Sequence, residues 1–189
     1  MSVPTLELPN GMLPLGRYSC SSDEIYNYFV RGLDFFGSTT RPQIWNDWIT
    51  VRDGLRQILP VYTAWISGSF VSSKLDPDDM DIVFTVDGTA YDSLPVGMFA
   101  RQAVDSLSRG RHFHEQAGKR LDTYIISWYP IPSPGPDMGT HENTYYLSRG
   151  HWDDFWQRKR ITPKTLAPTQ ADCIPRRGYL EVKLDDYPG

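Results

Sequence analysis

A chain of 189 residues is long enough to bury one real core and too short for two generous domains. Its hydrophobic fraction of 40%, with 6 Trp, 11 Tyr and 8 Phe, excludes a disordered polyelectrolyte. The net charge of −4 excludes a domain that coats nucleic acid by bulk positive charge. Cys20 and Cys173 lie far apart with no CxxC or Cys/His spacing, which argues against a disulfide framework or a zinc site. There is no run of about 18 apolar residues, and "MSVPTLELPNGMLPLG" lacks the basic and apolar blocks of a signal peptide. The expectation is a soluble cytoplasmic protein without a membrane partner.

In chain order, residues 1–20 are rich in Pro and Gly and read as an extended arm, with one domain over 21–189. Ser21 and Glu24 have capping-box spacing, so a short helix carrying Ile25, Tyr28 and Phe29 is predicted. From Thr40-Arg41-Pro42, Ile44, Trp48, Val51, Leu55 and Ile58 recur at steps of four and three. They mark one face of an amphipathic helix that Pro60 ends. "VYTAWISG" is β-branched and aromatic and reads as a strand leaving at Gly68-Ser69. After "SKLDPDD", "MDIVFTV" is a second strand, of the buried type.

Pro95 opens a helical pattern with Val96, Phe99, Ala103 and Leu107 on one face and Gly110 past its end. The basic stretch "SRGRHFHEQAGKR" follows, in which His112 and His114 on an extended segment would point one way like a metal pair but lack a third Cys, His or acidic ligand at typical spacing, and "LDTYIISWY" is a third strand. "PIPSPGPDMG" (130–139) carries too much proline for regular structure and is a loop inside the domain. "HWDDFWQRK" suggests a short helix and "GYLEVKL" a last strand. The predicted class is α/β (α+β), a small mixed sheet flanked by helices.

Four aspartates, Asp76, Asp78, Asp79 and Asp81, crowd one turn. Asp79 and Asp81, one residue apart at a strand start, point to one face, and Met80, Ile82 and Phe84 to the other. Two carboxylates held so close need protonation or a counter-charge, and a hard divalent cation, Mg²⁺, is the natural partner at neutral pH. Asp76 and Asp78, flanking Pro77, are read as solvated. Asp122, near the start of an otherwise apolar strand, is the candidate third carboxylate; the alternative is a solvated Asp on an edge strand. The Gly68-Ser69 turn suits a phosphate, because glycine allows close backbone approach and successive N–H groups bind anions. Lys74 is a further phosphate candidate, and Arg176 and Arg177 are weaker ones. Trp152 and Trp156, four apart, fit core packing better than base stacking.

Strand, Gly68-Ser69, about ten residues, Asp79-Met80-Asp81 opening an apolar strand, a helix, then a strand with Asp122: this order resembles the nucleotidyltransferase superfamily related to DNA polymerase β. A group of small bacterial and phage nucleotidyltransferase-like proteins is similar over nearly the whole chain, through "GSFVSSKLDPDDMDIVF" and "HWDDFWQRKR…RRGYLEV". The resemblance implies a polymerase β-like fold in which Gly68 and Ser69 hold the triphosphate of an NTP. It implies that Asp79, Asp81 and Asp122 bind two Mg²⁺ ions. It further implies NMP transfer to an acceptor, which is RNA or tRNA, a protein side chain or a small molecule, with a possible protein partner and a setting in toxin-antitoxin or phage-conflict systems. The rival expectations are a catalytically silent interaction module, an Asp-x-Asp metal-dependent glycosyltransferase and a metal-dependent nuclease. The nuclease would want a basic groove, and the glycosyltransferase has no equivalent need of the Gly-Ser turn.

Overall fold

A computed structural model describes residues 3–163 and 165–188. Its strands are β1 (Arg17–Ser19), β2 (Val61–Ser67), β3 (Met80–Asp87), β4 (Leu121–Trp128) and β5 (Tyr179–Lys183). They form one mixed sheet in the order β1-β5-β2-β3-β4. β1 pairs parallel with β5 and β3 parallel with β4, whereas β2 runs antiparallel to both β3 and β5. The helices are α1 (Ser22–Phe29), α2 (Arg41–Arg56), α3 (Gly88–Asp92), α4 (Phe99–Ser106), α5 (Arg111–Ala117) and α6 (Thr140–Gln157). The class is the predicted one. None of these helices is long and apolar enough to cross a membrane.

Alternation along the strands sends side chains to two faces. Ile82, Phe84 and Val86 of β3, Ala64 and Ile66 of β2, and Leu180 and Val182 of β5 pack with Ile25 and Phe29 of α1 and Ile44, Trp48 and Leu55 of α2. Val51 and Ile58 are half-buried against the same core, so the predicted face of α2 is the face that packs. The opposite set, Trp65, Val83, Ile126 and Tyr179, is covered by Tyr145 and Trp156 of α6, with Trp152 beside them. Both tryptophans are therefore packing groups. α1 begins as predicted: Ser21 Oγ accepts from Glu24 N at 3.1 Å and Glu24 Oε2 from Ser21 N at 2.8 Å.

Several expectations change. The segment read as an arm is part of the domain, since Leu13 and Cys20 are in the core and Arg17–Ser19 is an edge strand. The pattern assigned to Val96 and Phe99 fails, because these side chains are 90% and 83% exposed. α4 begins only at Phe99, and its C-terminal end reaches the core through Val104 and Leu107. α3 escaped the sequence reading because it is one short turn, capped by Asp87 Oδ1 accepting from Ala90 N at 2.8 Å. The basic stretch predicted as extended is α5, and the short helix placed on "HWDDFWQRK" is the end of the 18-residue α6.

Candidate functional site

β2 runs antiparallel to β3 and β5, so one end of the sheet gathers the exit of β2 and the entrances of β3, β4 and β5. A cavity of about 710 Å³ opens there. Gly68, Ser69, Lys74, Asp79, Asp81 and Asp122 all line it, as does Arg177, whereas Arg176, the other weak phosphate candidate, does not. Asp81 and Asp122 are direct register partners on neighbouring parallel strands, which aims their side chains to one face. On its other side Asp81 is paired with Ser67, the last residue of β2. Asp122 does lie on an edge strand, but its side chain is only 15% exposed.

Gly68 fits tightly. Its φ of 81° and ψ of −160° suit glycine, and a Cβ placed on it would overlap Asp81 Oδ2 and stand 2.8 Å from Asp81 Cγ. Backbone and carboxylate are thus packed directly together. Phe70 and Val71 anchor the turn in the core.

The loop from Gly68 to Asp79 has a buried organiser that sequence reasoning missed. The Arg41 guanidinium is fully buried and donates to five carbonyl oxygens. They belong to Leu75 (3.1 Å), Phe29 (3.1 Å), Phe70 (2.7 Å), Ser72 (2.9 Å) and Lys74 (2.6 Å). All five N–H donors of the fork are thereby used. Its planar group also lies over the Phe35 ring, 3.9 Å from the centroid, and burial lowers its pKa to about 10. The only early signal was an arginine at the start of an amphipathic helix, where a solvated residue is the ordinary expectation.

Asp76 corrects its prediction. Instead of facing water alone, Oδ1 accepts from Thr39 N (2.7 Å), Thr40 N (3.3 Å) and the Ser38 and Thr39 hydroxyls (3.1 Å each). Those bonds, the Thr39 N–H foremost, hold its carboxyl below the usual range and tie the loop to the start of α2. Asp78 is exposed as expected and accepts from Lys74 Nζ at 2.7 Å. The entrance of β4 is fixed by buried Asp47, which accepts from Lys119 Nζ at 2.9 Å and Arg120 N at 3.1 Å.

Two further cations and a histidine complete the site. Arg111 Nη1 donates to Asp79 Oδ2 at 2.8 Å. Arg177 lines the cavity with its backbone N bonded to Gln157 O and its Nε donating to Trp156 O at 3.1 Å. Burial lowers the Arg177 pKa, and the charge of Asp81 partly offsets this. His114 Nδ1 lies 3.6 Å from Asp122 Oδ1. Burial, then the charge of Asp79, raise the Asp122 carboxyl above its ordinary value, and Arg111 and His114 partly counter them.

The ligand atoms that fall within 4.8 Å of one another belong to Asp79, His114 and Asp122. His114, set aside as a ligand on the sequence, belongs to that set, and Asp81 lines the same cavity beside it. The helical conformation of α5 makes the difference, because it places Arg111 and His114 one turn apart on one side. The bracketing glycines, Gly110 and Gly118, were the available signal. The donor set fits a divalent cation on its own chemistry, since Asp122 Oδ1 and His114 Nδ1 are shielded from solvent, face each other at 3.6 Å and have no hydrogen-bond partner among the described residues.

Fold and site together define an α+β protein with an acidic, cation-fringed cavity at one end of a five-stranded mixed sheet. Residues 6–183 match the Family of unknown function (DUF6932), and the chain belongs to that family. No curated protein and no solved structure matches it.

Proposed function

We propose that the protein is a divalent-cation-dependent nucleotidyltransferase that moves an NMP from an NTP to an acceptor hydroxyl. One observation carries this reading: the Gly68-Ser69 turn, Asp79, Asp81 and Asp122, from three separated stretches of sequence, all line the same cavity. Each has a task in such a reaction. The Gly68-Ser69 turn offers backbone N–H groups and a hydroxyl to the triphosphate. Lys74 and Arg177, on the same cavity, supply positive charge for its β and γ phosphates. Asp79, Asp81 and Asp122, with His114 beside them, would hold the divalent cation. A cation bound there supplies a lower pKa for the attacking hydroxyl and neutralises charge on the triphosphate.

In the transfer, the acceptor oxygen forms a bond to the α-phosphorus in line with the departing group. The α–β bridging bond breaks, pyrophosphate leaves with the bond electrons, and the hydroxyl proton passes to solvent. The chain's own contribution is positioning and charge, on a scaffold that Arg41 and Asp47 hold rigid. The acceptor is RNA or tRNA, a protein side chain or a small molecule, and a conflict system of the toxin-antitoxin or phage-defence kind is the proposed setting in the cytoplasm.

The test is incubation with each α-labelled NTP, Mg²⁺ or Mn²⁺ and cell extract, beside an Asp79→Ala/Asp81→Ala variant. Label should move to one acceptor class with the parent protein and not with the variant. If the parent neither binds an NTP with a divalent cation nor transfers label, the interaction-module reading replaces this one.

A further inference from the structure

We infer that Asp79, His114 and Asp122 form a mononuclear site for a first-row transition-metal dication, one that Mg²⁺ occupies poorly. The ligand atoms of the three side chains lie within 4.8 Å of one another. They come from three places in the chain: the residue before β3, the middle of α5 and the second residue of β4. All three side chains are mostly withdrawn from solvent, being 18%, 19% and 15% exposed.

The second observation is independent of the clustering. His114 Nδ1 and Asp122 Oδ1 face each other at 3.6 Å, beyond hydrogen-bond reach, and both atoms are shielded from solvent without a hydrogen-bond partner among the described residues. The two atoms stand at ion-pair distance but beyond hydrogen-bond reach, and a cation shared between them would satisfy both. Two ligands bound to one ion at about 2.0–2.2 Å stand roughly 3.0–3.4 Å apart. A closure of a few tenths of an ångström therefore turns the observed pair into a ligand pair.

Ligand type then selects the metal. Mg²⁺ takes oxygen ligands in near-ideal octahedral geometry and dehydrates reluctantly. An imidazole nitrogen suits Zn²⁺, Fe²⁺, Co²⁺ and Ni²⁺, and affinity for such a mixed N/O set rises along the first row from Mn²⁺. Three protein ligands leave coordination positions for water or a substrate oxygen. Arg111 is the competitor, since its guanidinium bonds Asp79 at 2.8 Å and repels a cation. It is 57% exposed and also lies 3.7 Å from Glu115, an alternative partner on its own helix. The inference deepens the nucleotidyl-transfer reading and rests on it only for what the metal does there, not for whether the metal binds.

The test uses the whole chain, stripped with a chelator and kept free of nucleotide. Co²⁺ is followed by its visible absorption, Mn²⁺ by loss of its free EPR signal, and Mg²⁺ is added as competitor. The parent should bind about one equivalent of Co²⁺, more tightly than Mn²⁺, and resist displacement by Mg²⁺. His114→Ala and the bulkier His114→Gln, each checked for folding by circular dichroism, should lose roughly tenfold or more in Co²⁺ affinity. Arg111→Ala should gain affinity. Absence of Co²⁺ binding by the parent, equal binding by folded His114 variants, or displacement by Mg²⁺ at equal concentration would each overturn the inference. The two proposals fail separately. Co²⁺ binding without label transfer from any NTP removes the transferase and keeps the metal site, whereas Mg²⁺-supported transfer unaffected by loss of His114 does the reverse.

Discussion

Replacing Gly68 by alanine tests the close packing of backbone against Asp81. Its φ of 81° and ψ of −160° lie where an L-residue is strained, at about 1–3 kcal/mol. The new methyl must also displace the Asp81 carboxylate, whose Cγ would be 2.8 Å away, and forced overpacking adds about 1–3 kcal/mol. Together these give about 2–6 kcal/mol, or a fall in Tm on the order of 5–20 °C for a chain of this size. Gly37 is the control, with a φ of 86° and nothing within 4 Å of an added Cβ. Gly37→Ala should lose only the conformational part. In thermal and urea unfolding, Gly68→Ala should therefore be the more destabilised, and Asp81→Ala in the same chain should restore part of the difference as a positive coupling. Equal losses at Gly68 and Gly37, with no coupling to Asp81, would refute the packing of glycine against carboxylate.

Arg41→Met removes a donor to five carbonyls and should destabilise by about 3 kcal/mol or more, read as a lower urea midpoint. Arg41→Lys, with three donors and no planar fork, should fall between parent and Met. Asp122 has a raised pKa, so its folded form binds a proton more tightly than its unfolded form, and its ionisation destabilises the metal-free protein as pH rises above the ordinary value of 3.8. Asp122→Asn escapes that loss. In chelator, its Tm should exceed the parent's at neutral pH, with the gap closing as pH falls towards the ordinary carboxylate range. A gap that stays constant from acid to neutral pH would contradict the burial and Asp79 repulsion assigned to this carboxyl.

Much of the fold was legible because the determining signals are local. The Ser21–Glu24 capping box, the four-three spacing of Ile44, Trp48 and Leu55, and the β-branched runs of β2, β3 and β4 each act within a few residues. Where expectation and structure differ, the deciding contacts lie outside the local pattern. α5 and α3 are too short for a hydrophobic period to declare itself, and Val96 and Phe99 follow a helical period that meets no neighbour. The acidic turn shows the same boundary. Asp81 was legible from strand alternation, whereas Asp76 bonds the segment just before a helix that begins 35 residues earlier in the chain.

The sequence by itself determined α1, α2 and strands β2 to β5 in their order, the face that Asp79 and Asp81 share, and the glycine at the exit of β2. Each follows from the period of a strand or helix and the conformational range of one residue. Only the tertiary structure decided which groups meet. Pairing β3 parallel with β4 sets Asp122 in register with Asp81, and folding residues 111–117 as a helix carries His114 to Asp122 and Arg111 to Asp79. Burial of Arg41 beneath the loop fixes the turn that holds Gly68 against Asp81. Such contacts join positions tens of residues apart, and the free energy that selects them comes from strand register and core packing, which no single stretch of sequence contains.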